Sequence, residues 1–162
     1  MAKFRPIIIE PSPILRKRSD EVKEVHSKEI QELIPDLILT MIKKEGIGIA
    51  APQVGVNRRL CIINTADGPI ALINPVITFK SKRTLSDEEG CLSIPGVWGE
   101  VERHAKIKIK AISAGGEKIA FAAEELFARI IQHEVDHLDG ILFTDKATNI
   151  RKQKKDAKSR GA

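Results

Sequence analysis

Ala123-Glu124-Glu125-Leu126-Phe127-Ala128-Arg129-Ile130-Ile131-Gln132-His133-Glu134-Val135-Asp136-His137-Leu138, with Gly140 two positions on, decides how this chain is read. Leu126, Ile130, His133 and His137 recur at spacings of three and four, so they share one face of a helix. The pattern predicts a helix from about Ala123 to Leu138, with Gly140 as its C-terminal stop. The shared face turns both histidines inward. His133-Glu134-Val135-Asp136-His137 has the form HExxH. Imidazoles four residues apart can meet one ion, and Glu134 can reach a water on that ion as general base. Two core histidines with satisfied hydrogen bonds would leave the same trace, but the supporting helix periodicity favours a metal site.

A catalytic metal site needs a third protein ligand and an open position. In the pattern HExxHxxGxxH the third ligand is the last residue, and here that place holds Phe143. No glutamate follows Glu134, and Asp139 points to a different face. The third ligand is therefore sought upstream, among Cys61, Cys91, His26 and His104. Cys61 lies in an apolar strand and fits a small core residue. His26 and His104 lie in charged stretches. Cys91 lies in Glu88-Glu89-Gly90-Cys91-Leu92-Ser93-Ile94-Pro95-Gly96, which reads as a loop, and is the best candidate.

The rest of the chain supplies strands grouped between helices, which argues for an α+β fold. Ile30, Leu33, Ile34, Leu37, Ile38, Met41 and Ile42 predict a helix over Lys28–Glu45, kinked or broken at Pro35 and ended by Gly46. Leu60–Asn64 and Ala71–Phe79 read as strands around an Asp67-Gly68 turn. Lys106–Ala111 alternates as a strand with one wet face. Gly115-Gly116 turns it into Glu117–Phe121. Gly46-Ile47-Gly48-Ile49-Ala50-Ala51-Pro52-Gln53 has the outline of a dinucleotide fingerprint, but it follows a helix rather than a strand. It is either a turn of close-packed small residues or an edge whose backbone can pair with an extended peptide.

The chain has 162 residues, 42% hydrophobic and 30% charged, which suits one soluble domain. No apolar run approaches a membrane span, and no secretory leader is read at the N-terminus. Two distant cysteines without CxxC spacing fit a reducing cytoplasm and no disulfide partner. Residues 151–162 hold six basic groups and one acidic one, which leaves 21 of each sign from totals of 27 and 22. A neutral body argues against a dedicated nucleic-acid-binding domain.

Taken together, Gly46-Ile47-Gly48-Ile49-Ala50-Ala51-Pro52-Gln53, Glu89-Gly90-Cys91-Leu92-Ser93 and His133-Glu134-Val135-Asp136-His137 resemble the peptide deformylases, whose pattern is GxGxAAxQ, EGCLS and HExDH in that order. The resemblance extends over about residues 4–145. It implies antiparallel strands packed around a central HExxH helix, and hydrolytic removal of the formyl group from the N-terminal formyl-methionine of new proteins. It implies Cys91, His133 and His137 as ligands of one divalent metal, typically Fe2+, which Zn2+, Ni2+ or Co2+ can replace. Glu134 would be the general acid/base. The Gln53 amide and the Leu92 backbone N–H would stabilise the oxyanion. Ile47, Gly48, Leu126 and Ile130, with the ring of His133, would receive the methionine, and Glu89 would pair with Arg103 behind the cysteine segment. Asp87 and Trp98 depart from residues common in the family, an apolar side chain and an arginine.

The expected organisation is a catalytic domain over 1–147 and a basic tail over 148–162, the tail offering a contact to the ribosome. Two other readings stay open: an endopeptidase of the HExxH kind, disfavoured by the missing downstream ligand, and a ribosome-associated binding module without catalysis.

Overall fold

The computed structural model describes residues 1–152. Its eight strands form two antiparallel sheets, packed with two long helices. The larger sheet contains β1 (Gly48–Ala50), β2 (Leu60–Thr65), β3 (Gly68–Lys80), β6 (Lys106–Ile112) and β7 (Lys118–Glu124), in the order β1-β2-β3-β6-β7. The smaller contains β4 (Thr84–Cys91), β5 (Ile94–His104) and β8 (Thr148–Lys152). Helix α1 spans Lys28–Lys43 and helix α2 spans Glu125–Leu138.

The continuous apolar run of β2 follows from burial on both faces. Leu60 and Ile62 pack with the stripe Ile30, Leu33, Leu37 and Met41 of α1. Cys61 and Ile63 pack on the other side with Leu72, Ile107, Ile109 and residues of α2. Helix α2 thus lies along one face of the larger sheet, and it also touches β5 of the smaller. A third cluster of Leu15, Cys91, Ile94, Val101, Leu142 and Phe143 fills the base of the smaller sheet.

The helix ends are closed as their residues dictate. Ser27 caps α1 by accepting the Ile30 N–H at 3.3 Å. At the other end the left-handed residue is Glu45, with φ 56°, and the N–H groups of Glu45 and Gly46 return to the carbonyls of Ile42 and Met41. The stop therefore falls one residue before the expected Gly46. Helix α1 runs unbroken through Pro35, contrary to a break there. The proline removes only the bond to the Gln31 carbonyl, and the buried stripe on both sides of it holds the helix together. At the end of α2, Gly140 takes φ 77°, and its N–H and that of Ile141 bond to His137 and Asp136. A side chain at Gly140 would collide with the Arg16 carbonyl.

Two readings change. Glu88–Gly96 is not a loop: it contains the end of β4, a two-residue turn at Leu92-Ser93 and the start of β5, with Cys91 opposite Ile94. Residues 148–152, read as the beginning of the tail, form β8 and pair with β5, so the catalytic domain extends past 147. All five are exposed, so no apolar alternation marked them as a strand. Arg151 also forms an ion pair with Glu88. The remainder of the tail, 153–162, lies outside the described residues. Among the described residues no helix is long and apolar enough to cross a membrane, and Cys61 and Cys91 are both free.

Candidate active site

Two elements deliver the donors. The end of β4 places Cys91, and successive turns of α2 place His133 and His137. Their ligand atoms lie within 4.8 Å of one another, and all three residues are buried. Cys91 Sγ stands 3.3 Å from His137 Nε2. His26 and Cys61 lie apart from this group, exposed and in the core respectively, and His104 Nδ1 lies 2.7 Å from the Ser81 carbonyl.

Behind this group sits Glu89, also buried. Arg103 grips it as a fork, with Nε and Nη2 each 2.9 Å from one carboxylate oxygen. Arg129 Nη1 adds a contact at 2.7 Å and His133 Nδ1 one at 2.8 Å. Burial alone would raise the carboxyl of Glu89, but Arg103 and His133 outweigh it and hold it far below its ordinary range. An ionised Glu89 only accepts, so His133 Nδ1 carries the proton and its Nε2 presents a lone pair. That Nε2 is buried without a hydrogen-bond partner among the described residues. Arg103 also reaches Asp136 at 2.5 Å, and Arg129 ties the carbonyls of Val101 and Leu85.

Sequence reasoning passes over Arg129, yet its signal lies in α2. It precedes His133 by four residues and Asp136 by seven, so a cation occupies the inward stripe. Only a buried carboxylate could make that tolerable.

The donor set fits a divalent cation. Burial, then the neighbouring His133 ring and the charge of Arg103, push His137 well below its ordinary value, so it is neutral. Burial pushes the Cys91 thiol up, with Glu134 adding to the effect against hydrogen bonds from the Ser93 and Ile94 backbone. A buried thiol, a neutral imidazole and an orphaned Nε2 lone pair converging on one point form a site with two unsatisfied demands, a charge for sulfur and an acceptor for nitrogen. One cation meets both.

Glu134 is fully buried, and both its oxygens lack hydrogen-bond partners among the described residues. Burial, then the charge of Glu89, raises its pKa well above the ordinary carboxylate value. Gly48 of β1 makes room for it: a Cβ there would lie 2.6 Å from Glu134 Oε2. Gln53 is also buried. Its Oε1 accepts the Ala50 N–H at 2.9 Å, which orients the amide so that Nε2 lies 3.2 Å from Ser93 Oγ and 3.6 Å from Cys91 Sγ. Leu92 follows Cys91 at the hairpin tip and is buried. Ile130 is buried on α2, whereas Ile47 and Leu126 are 41% and 60% exposed. The start of the inward stripe at Leu126 therefore opens to solvent, because it lies in the first turn of α2. Strand β1 is an edge strand, so the backbone at Ile47 and Gly48 borders the site without a second partner strand.

The model of the polypeptide deformylase family matches residues 4–153. The chain belongs to this family. A peptide deformylase of Desulforudis audaxviator is 43% identical over 155 residues, covering 95% of this chain and 99% of that one. Peptide deformylase 1 of Clostridium acetobutylicum is 50% identical over 133 residues, 82% and 87% of the two chains. Among solved structures, the peptide deformylase of Thermotoga maritima superposes with a TM-score of 0.87 at 38% identity, covering 90% and 99%. A class I type b peptide deformylase from Acinetobacter baumannii, crystallised with Met-Ala-Ser bound, gives 0.85 at 34% identity, covering 90% and 99%. The α+β architecture expected from the three motifs is that of these deformylases, and the chain is a hydrolase of their kind.

Proposed function

We propose that this deformylase hydrolyses the formyl amide of formyl-methionine peptides with Cys91, His133 and His137 holding one divalent metal and Glu134 moving the protons. The observation that carries this reading is Glu134 itself, a fully buried carboxyl with two unpartnered oxygens beside three converging ligand atoms. A metal held there would polarise the formyl carbonyl and lower the pKa of a water at its open position.

Glu134 takes a proton from the attacking water as oxygen bonds to the formyl carbon. It then delivers that proton to the departing amine as the C–N bond breaks, leaving formate and a free N-terminus. A raised pKa favours holding that proton until the amine takes it. The Gln53 Nε2 and the Leu92 N–H meet the negative charge that develops on the formyl oxygen, each such donor being worth about 2.7–4 kcal/mol of barrier. Gln53 is locked by its bond from Ala50, so it needs no reorganisation. The peptide pairs with the free edge of β1 at Ile47 and Gly48, and its methionine side chain lies among Ile47, Leu126, Ile130 and the His133 ring. The Met-Ala-Ser peptide held by the Acinetobacter enzyme is what such a reaction would leave behind. Glu89, with Arg103 and Arg129, fixes the tautomer and direction of His133.

The metal of this reading is ferrous iron, with zinc, nickel or cobalt able to stand in. Location in the cytoplasm and a ribosome contact through Lys154, Lys155, Lys158 and Arg160 belong to the same reading. Formate release from a formyl-Met peptide, assayed beside cleavage of an internal peptide bond, tests the chemistry. Internal cleavage without formate would overturn it. Metal analysis after anaerobic purification tests the iron.

A further inference from the structure

Helix α2 covers the larger sheet from β1 to β7 on one face. On the other face, the cluster under α1 takes in β1, β2, the near part of β3 and Ile112 at the end of β6. Among the described residues nothing packs over the far part of that face, and it is a field of lysines. The register sets Ile107, Ile109 and Ala111 of β6 inward and Lys106, Lys108 and Lys110 outward, all three exposed. Lys118 of β7 stands beside Ile112 at the end of the same row. Successive outward lysines on β6 are about 6.4–6.8 Å apart. Across β7, Lys106 faces Glu124, whereas Lys108 and Lys110 face Ala122 and Ala120, so no β7 side chain rises above the ammonium groups of these two.

The field is nearly unopposed. Lys106 has a carboxylate partner, Glu124 at 3.5 Å. Lys108, Lys110 and Lys118 are in no ion pair among the described residues. Lys108 Nζ lies 5.5 Å from the ring of Phe79, which is 44% exposed on β3. The chain through residue 150 is neutral in sum, so this charge is segregated rather than in excess, and a count of net charge conceals it. A flat array without a cavity does not select a small anion. An interfacial lipid contact would require a broad apolar face, and this one offers only Val76 and Phe79. A regular line of lysines with one half-exposed aromatic at its margin matches a phosphate backbone with unpaired bases near it.

We infer that this half-face, centred on Lys108 and Lys110, binds the phosphate backbone of RNA without reading its sequence. The contact is separate from the hydrolytic site on the α2 side of the sheet, so formate release reports independently on the active-site reading.

The test is anisotropy of a labelled, partly unpaired RNA hairpin with the full-length chain across a salt series. Each lysine–phosphate contact contributes about 0.7–0.9 to the slope of log K against log salt. Lys108→Gln, Lys110→Gln and Lys118→Gln together should lower that slope by about 2, with deformylation of a short peptide unchanged. A control with the same loss of charge, Lys17→Gln, Lys23→Gln and Lys43→Gln, should keep the parental slope. Equal losses in the two triple variants would overturn the inference, because charge alone would then suffice. It also fails if the parent chain does not bind the hairpin at low salt, or if the face binds phosphatidylserine vesicles in preference to RNA.

Discussion

Replacing Gly48 by alanine adds one methyl group to the edge strand, and the methyl has nowhere to go but toward Glu134. An ideal Cβ at Gly48 lies 2.6 Å from Oε2 and 3.0 Å from Cδ and Cγ of that residue. Ordinary contact begins near 3.4 Å, so the carboxylate must retreat by about 0.8 Å, or β1 must shift by as much. Gly48 does not have positive φ, so alanine brings no backbone strain and the effect is confined to the side chain. Misplacing a reacting group by about 1 Å costs on the order of 10²-fold in rate, and overpacking of this size costs about 1–3 kcal/mol of stability. Gly48→Ala should therefore keep its metal and lose about 10²-fold in kcat for formate release. The decisive comparison adds Glu134→Asp, which shortens the acid by one methylene and removes the clash. In that background Gly48→Ala should cost only a few-fold. Full kcat in the single variant at full metal content would refute the argument, and so would an unchanged penalty when the shorter acid is present.

The remaining expectations follow from the same geometry. Glu134→Gln should hold metal normally and lose about 10²–10⁴-fold in kcat, since glutamine cannot take the proton; elemental analysis beside a formate assay checks both parts. Cys91→Ala should lose metal, whereas Cys61→Ala should retain it and show only weaker packing in thermal unfolding. Glu89→Gln removes the charge that Arg103 and Arg129 share and should cost about 3–5 kcal/mol, read as a lower midpoint in urea. Because Glu89 is held below its usual 4.5 in the folded state, its contribution is complete above that pH and drains away as the pH falls below it. The acid limb of the stability curve should accordingly be shallower in Glu89→Gln, and an identical acid limb would count against the pairing.

What could be read from the chain depended on how far local pattern and burial coincide. Helix α2 and strand β6 are amphipathic, and their periods of about 3.6 and 2 reveal them. The β2–β3 hairpin is marked by Asp67-Gly68, and Gly68 does adopt φ 109°. The small sheet was harder because its outward face bears Glu88, Glu100 and Glu102, all exposed, and even Asp87, on the face of Val101 and Glu89, is exposed, while few inward residues are large. Gly90, Pro95 and Gly96 then imitate a loop, although Cys91 ends a strand and owes its fixed position to that. The HExxH pair needed only one helix to be seen. The joining of Glu89 to Arg129 across 40 positions is tertiary, and a buried arginine on an apolar stripe was the single trace of it.

Helix α2 lies late in the chain, yet it is the layer on which the larger sheet closes. Cys61, Ile63, Leu72, Ile107 and Ile109 have no other cover on that side among the described residues. During synthesis these strands are made long before the element that buries them, so the growing chain carries an open apolar face until about residue 138 has left the ribosome. Closure then needs Ser19, whose N–H binds the Leu138 carbonyl at 2.8 Å, and Arg59, which binds the same carbonyl at 2.9 Å. One event thus seals the core, docks the early part of the chain and brings His133 and His137 to Cys91. Closure of the larger sheet's core and assembly of the candidate metal ligands are the same step, and a chain interrupted before α2 yields neither.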